Sequence, residues 1–323
     1  MRITVHIGAG KTGTSSIQKA LQRNLSALEA AGIFIPASDL TVDGKVHGYQ
    51  VFGFQDLINS QDETSPERFD AMLGGLVAKA EAGNFERILF SAENLSNQVD
   101  WAGLLGQALA KHEVDVLFYI RRQDLYFLSA YQQWGLKTGL TFDQWFFRQK
   151  DHRGDWAQTL KTWENMASSI KVRVYERQRL AAGDVVQDFF EHVGIDGSGL
   201  QLSGHQENHS YSLAAEELAL SSPNLFENAH DNRFFHFLDE VAMGSQIKKS
   251  RESRVTFERR MEVLNYFEQS NEYVASHYTD DADLPLRFTQ PEESDFDFVP
   301  PNEIDKLKDG LLAEILFGMH LTK

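Results

Sequence analysis

The chain opens MRITVHIGAGKTGTSSIQ, residues Met1 to Gln18, an alternating apolar run that passes through a glycine-rich turn with one lysine into the start of a helix. Ile3, Val5 and Ile7 alternate with Thr4 and His6, the period-two pattern of a buried strand, and Gly8 and Gly10 are expected to let the backbone turn tightly. Thr12, Gly13, Thr14, Ser15 and Ser16 follow at the opening of a helix predicted to reach about Ala31. First-turn N–H groups have no carbonyl one turn back to bond, and with the positive end of the helix dipole they favour an anion. Lys11 adds a mobile full charge beside them, and His6, among buried neighbours, reads as structural.

A Walker A nucleotide loop reads G-x-x-x-x-G-K-[ST] and requires a glycine five positions before Gly10, where this chain has Val5 inside the strand. What stands instead, Lys11-Thr12-Gly13-Thr14-Ser15-Ser16 and then Gln18, resembles the 5′-phosphosulfate loop of sulfotransferases that use 3′-phosphoadenosine 5′-phosphosulfate (PAPS). The resemblance implies that Gly10 and the residues Lys11 to Ser16 hold the 5′-phosphosulfate, with Lys11 at the bridging oxygen. It also implies 3′,5′-ADP as product and no metal.

A second segment extends the same resemblance. The segment YIRRQDLYFLSAYQQ, Tyr119 to Gln133, follows the most apolar run of the chain, so Arg121 falls at the carboxyl end of a strand, where open α/β sheets place their ligands. Ser129 lies eight residues further on. In the resembled family an arginine and a serine at this spacing bind the 3′-phosphate, and a guanidinium suits that task because it gives two charge-assisted bonds to phosphate oxygens. An alternative for Arg121 is a structural bridge to Asp124 or Glu93. Looser similarities run through Phe90 to Leu95, Ser129 to Trp145, Val174 to Ile195, Glu207 to Ser212 and Tyr266 to Tyr278.

Glu93, just past the apolar run Arg87 to Ser91, is the candidate general base, since that strand end points into the same crevice; capping the next helix is its structural alternative. His47, in KVHGYQVFG, is the second candidate. His152, His205, His209 and His236 show no zinc-ligand spacing. The run Lys248 to Arg254 is either a grip on an anion or a solvated face, and Trp134, Trp145, Phe146 and Phe147 either line a sugar site or pack a core.

With 323 residues the chain can bury a sizeable core, and a net charge of −16 argues against a nucleic-acid partner, whose footprints are basic. No cysteine is present, which excludes disulfides and thiolate metal sites. No run approaches the roughly 18 apolar residues of a membrane span, and the opening is a strand rather than a signal peptide, so a cytoplasmic protein of bacterial type is expected.

Apolar runs at Ile3 to Ile7, Ile33 to Ile35, Arg87 to Ser91, Val114 to Ile120 and Ile170 to Tyr175 alternate with helical periods at Ser15 to Ala31, Pro66 to Ala82, Trp101 to Lys111, Leu125 to Lys137 and Trp156 to Ala167. The pattern predicts an α/β, three-layer, P-loop-like fold with a mostly parallel sheet of about five strands. Beyond Gly194 strand signals stop, and helices are expected at Leu213 to Leu220, Phe234 to Met243, Thr256 to His277 and Glu303 to Phe317, with Thr279 to Pro301 extended at the surface. One domain is expected, an α/β core over residues 1–195 and a helical extension over 196–323 that contributes to the acceptor site. The resulting expectation is transfer of a sulfuryl group from PAPS to a hydroxyl of a carbohydrate, glycolipid or other small acceptor. The rivals are a kinase or NTPase with a degenerate loop, and a catalytically silent nucleotide-binding module.

Overall fold

The computed structural model describes residues 1–202, 211–242, 246 and 251–321. His205, His209, Met243, the stretch Glu207 to Ser210, and Lys248, Lys249 and Ser250 of the basic run lie outside the described residues. In chain order the elements are β1 (Arg2–His6), α1 (Thr14–Arg23), α2 (Leu25–Ala30), β2 (Ile33–Phe34), α3 (Val51–Asn59), α4 (Ser65–Ala82), β3 (Arg87–Ser91), α5 (Trp101–Leu109), β4 (Glu113–Ile120), α6 (Gln123–Ala130), α7 (Phe142–Gln149), α8 (Trp156–Glu164), β5 (Ser169–Val174) and α9 (Val185–His192). They continue with α10 (Leu213–Ser221), α11 (Arg233–Val241), β6 (Glu252–Ser253), α12 (Phe257–Tyr266), α13 (Glu268–His277), β7 (Asp297–Phe298) and α14 (Pro301–Leu321). The chain divides into two compact units: Met1–Arg122, Asp155–His205 and Gln269–Phe288 form the first, and Gln123–Gly154, Gln206–Glu268 and Thr289–Lys323 the second.

The first unit holds a five-stranded sheet of order β2-β3-β1-β4-β5 in which every pairing is parallel. A parallel sheet brings the carboxyl ends of all its strands to one edge, so the loops after β1, β3 and β4 open side by side. Helices cover both faces, as such sheets require. On one face Leu89, Leu117 and Tyr119 pack with Ile17, Ala20 and Leu21 of α1 and with Val186, Phe189 and Phe190 of α9. On the other, Phe90 meets Phe54 of α3 edge-on and Phe118 meets Trp156 of α8, while Phe54 also meets Trp101 of α5. Beneath β4 the Tyr119 hydroxyl donates to Asp188 at 2.6 Å, and Arg173 donates to the same carboxylate at 2.6 Å.

Several boundaries differ from the sequence reading. The helix expected from Ser15 to Ala31 breaks at Asn24, whose amide donates to the Ala20 carbonyl and whose oxygen accepts from the Gln201 N–H, an instance of an Asn side chain competing with the helix ladder. The helix expected from Thr256 to His277 likewise divides at Phe267. The stretch predicted as a helix over Leu125 to Lys137 begins at Gln123 and widens into a π turn over Tyr131–Gly135 before a 3₁₀ turn. Strand structure does recur after Gly194: β6 and β7 pair in parallel over two residues each, too short a ladder to leave a periodic signal.

In the second unit Phe127 is the centre of an aromatic core with Trp145, Phe146 and Phe267. Trp145 and Phe146 are therefore buried packing residues, whereas Phe147 is 72% exposed. Arg260 and Asp124, both buried, form an ion pair at 2.7 Å, so Asp124 has a guanidinium partner other than Arg121. Arg254, the last residue of the basic run, is held by Glu216 at 3.1 Å and Glu217 at 3.2 Å, a structural ion pair rather than an open grip.

Candidate functional site: the loop after β1

β1 runs between β3 and β4, and after His6 the chain keeps bonding along β4, Ile7 to the Leu117 carbonyl and Ala9 to the Tyr119 carbonyl. The turn then closes with the Thr12 hydroxyl donating to the Ala9 carbonyl at 2.5 Å. Its left-handed residues are Lys11 (φ 69°) and Gly13 (φ 82°), whereas Gly8 and Gly10 keep ordinary backbone angles, contrary to the expectation that these two supply the turn. Gly8 lacks a side chain for a different reason: a Cβ there meets the ring of His6 at 2.5 Å. At Gly13 both demands coincide, since a Cβ also meets Val185 at 2.7 Å.

Gly13 leads directly into α1, and the N–H groups of Thr12, Gly13, Thr14 and Ser15 have no partner among the described residues. Four consecutive free donors at the positive end of a helix form a cradle suited to phosphate oxygens. Lys11 is half-buried beside it. Burial lowers its pKa from the ordinary lysine value, the charge of Arg121 lowers it further, and Glu93 opposes both.

Two of the sequence-predicted residues from elsewhere in the chain, Arg121 and Glu93, converge on this loop. Arg121, one residue past β4, donates to the Lys11 carbonyl at 3.0 Å and lies 5.7 Å over the ring of Tyr175, and Trp156 bonds its carbonyl at 3.0 Å. Glu93, at the start of a 3₁₀ turn after β3, accepts from the Thr14 hydroxyl at 2.7 Å. Its carboxylate is thus tied to α1 rather than to the amides of its own following turn. Ser15 is exposed and Ser16 half-buried on the first turn of α1.

His47 stacks on Tyr49 with centroids 5.9 Å apart. Its neighbour Gly48, at φ 72°, lies against the backbone of α1, where a Cβ would run into the Gln18 carbonyl, so the His47 loop is laid on the same helix that carries the anion cradle. Ser129 falls on α6 of the second unit and is half-buried. Beneath the loop His6 is fully buried, its Nδ1 2.8 Å from the Ser91 hydroxyl, and burial lowers its pKa to about 3, so it is neutral. His152 and His236 belong to no group of three or more metal-ligating side chains among the described residues.

Tyr175 escaped the sequence reading although it follows β5 directly, and position at a strand's carboxyl end was the available signal. The Thr14 contact with Glu93 had no signal, because the two are 79 positions apart.

No family model matches the chain. An uncharacterized protein of Archaeoglobus fulgidus is 28% identical over 175 residues, an alignment covering 50% of this chain and 45% of that protein, so the chain spans about half the length of the curated relative it matches. Among solved structures a sulfotransferase from Alicyclobacillus acidocaldarius aligns with 72% of this chain and 95% of its own at 18% identity, with a TM-score of 0.39. No helix among the described residues is long and apolar enough to cross a membrane.

Proposed function

We propose that the protein is a sulfotransferase that moves the sulfuryl group of PAPS to an acceptor hydroxyl, with carbohydrate and glycolipid acceptors favoured. The observation that carries the reading is the 2.7 Å hydrogen bond from Thr14 to Glu93, which joins a carboxylate to the anion cradle. A carboxylate there repels a bound anion and costs affinity, a cost that makes sense where an incoming hydroxyl must give up a proton. In this reading the acceptor oxygen attacks sulfur and its proton passes to Glu93. The S–O bond to the 5′-phosphate breaks with its electron pair kept by the phosphate oxygen, which leaves a sulfate ester and 3′,5′-ADP.

Lys11 neutralises the charge that grows on that oxygen, and the N–H groups of Thr12 to Ser15 hold the 5′-phosphate. Arg121 takes the 3′-phosphate, and His47 is the second candidate base. Thermal denaturation with 3′,5′-ADP against ATP plus magnesium tests the assignment, since a ligand at 100 times its Kd adds about 2.7 kcal/mol of stability. A rise in Tm with 3′,5′-ADP is expected. A rise with magnesium ATP alone would assign the loop to phosphoryl chemistry instead.

A further inference from the structure

β2 pairs with β3 only as far as Phe34 opposite Ile88, so the last three residues of β3 leave that side of the ladder without a strand. Gln50 fills the gap. It is completely buried at the N-terminus of α3, yet its side chain caps no helix N–H. Its Oε1 accepts from the Ser91 N–H at 2.8 Å, its own N–H donates to the Ser91 carbonyl at 3.0 Å, and its Nε2 donates to the Pro36 carbonyl at 2.8 Å, two residues past β2. A primary amide carries a donor and an acceptor spaced as in a peptide group, so it can stand between two diverging strands as a surrogate piece of backbone.

Ser91 is two residues before Glu93, and its remaining contacts close the same frame. Its hydroxyl meets His6 at 2.8 Å, the Ala92 N–H donates to the His6 carbonyl at 3.0 Å, and the Asn94 amide donates to the Val51 carbonyl at 3.0 Å. The exit of β3 is thereby gripped by β1 on one side and by Gln50 and Val51 on the other. We propose that Gln50 is a positioning residue for Glu93: its amide sets where the chain leaves β3 and hence where the carboxylate meets Thr14 and the acceptor. The inference rests on the sulfotransferase reading and deepens it.

The test follows 3′,5′-ADP formation from PAPS with 2-naphthol and methyl β-galactoside as acceptor probes, in wild type, Gln50→Met, Glu93→Gln and the double variant. A misplacement of about 1 Å costs on the order of 100-fold in rate, so Gln50→Met is expected to lower kcat by about 10- to 100-fold while KM for PAPS and the 3′,5′-ADP thermal shift stay at wild-type values. In the Glu93→Gln background the same change is expected to cost nothing more, because there is no longer a base to misplace. Should Gln50→Met not fold, the cycle uses Gln50→Glu, which keeps an oxygen for the Ser91 N–H and is expected to lose about threefold, again only when Glu93 is present. An unchanged kcat, a loss confined to KM, or losses that multiply in the double variant overturn the role. Wild type that turns over no PAPS with either probe removes the parent reading and this role with it, whereas an active wild type with an unaffected Gln50→Met removes the role alone.

Discussion

Lys11 carries two costs that its removal should expose. Its backbone is left-handed at φ 69°, a conformation that costs an L-residue about 1–2 kcal/mol and glycine almost nothing. Its ammonium is held below the ordinary lysine value of 10.5 by burial first and by Arg121 second. For a base with a depressed folded pKa the unfolded chain keeps its proton longer, so stability rises as pH climbs through the folded value toward 10.5, and the cost is fully present below the folded value. Lys11→Ala relieves only the charge cost, whereas Lys11→Gly relieves both and gives back about 0.5–1 kcal/mol in unfolded-chain entropy.

Glycine at this position is therefore expected to be more stable than alanine by about 0.5–1 kcal/mol, a Tm difference of about 1–4 °C for a chain of this size. Both variants lose one charge-assisted contact to the bound anion, worth about 1.5–3 kcal/mol, or about tenfold to hundredfold in the Kd for 3′,5′-ADP. Calorimetric Tm values of the free proteins, followed by titration with 3′,5′-ADP, measure both quantities. A Lys11→Gly protein less stable than Lys11→Ala would refute the left-handed turn, and wild-type affinity in either would refute the role of the ammonium.

Thr14→Val keeps the shape of a buried side chain and removes the donor to Glu93, so urea unfolding should show a loss of about 1.5–3 kcal/mol that Thr14→Ser largely restores. His6 is neutral in the fold with a pKa lowered to about 3 by burial, while the unfolded chain takes up a proton below 6.5. Stability should thus fall as pH drops below 6.5, by up to about 1.4 kcal/mol per pH unit, and His6→Gln should flatten that acid limb by about one proton in denaturation curves taken at several pH values. Burial raises the pKa of Asp188, but bonds from His192, Arg173, Tyr119 and the Ala181 N–H outweigh it and hold the carboxyl well below the usual range. Asp188→Asn leaves the buried Arg173 with only the exposed Asp281 as its ionic partner and should cost up to about 3–5 kcal/mol in the same urea assay; a loss under 1 kcal/mol would show that the network contributes little.

The parts of the site legible in the sequence are those written by neighbours. The alternation of Ile3, Val5 and Ile7 marks β1, the small hydroxyl residues after Lys11 mark a helix start, and Arg121 is found by standing just past the apolar run of β4. A parallel sheet then brings Glu93 and Arg121 to the edge that carries Lys11, which is why strand ends indicate which residues meet there. The break at Asn24 and the turn conformation at Lys11 were hidden, because the first depends on the Gln201 N–H donating to the Asn24 side chain from 177 positions away and the second places a left-handed residue on a lysine rather than on a glycine. Trp145 and Phe146 could not be sorted between a ligand wall and a core by spacing alone, and their contacts with Phe127 decided for the core.

By itself, then, the chain determined a strand, a turn and a helix at residues 2–23, the recurrence of further strands, and which residue types stand at their ends. Only the tertiary structure decided their partners: Thr14 with Glu93, Arg121 with the Lys11 carbonyl above Tyr175, and Gln50 with Ser91 and Pro36. The physical reason is that periodicity and unpaired helix donors are set by residues a few positions apart. Which side chains meet is set instead by strand order, and the placement of β1 between β3 and β4 is stated nowhere in the local sequence.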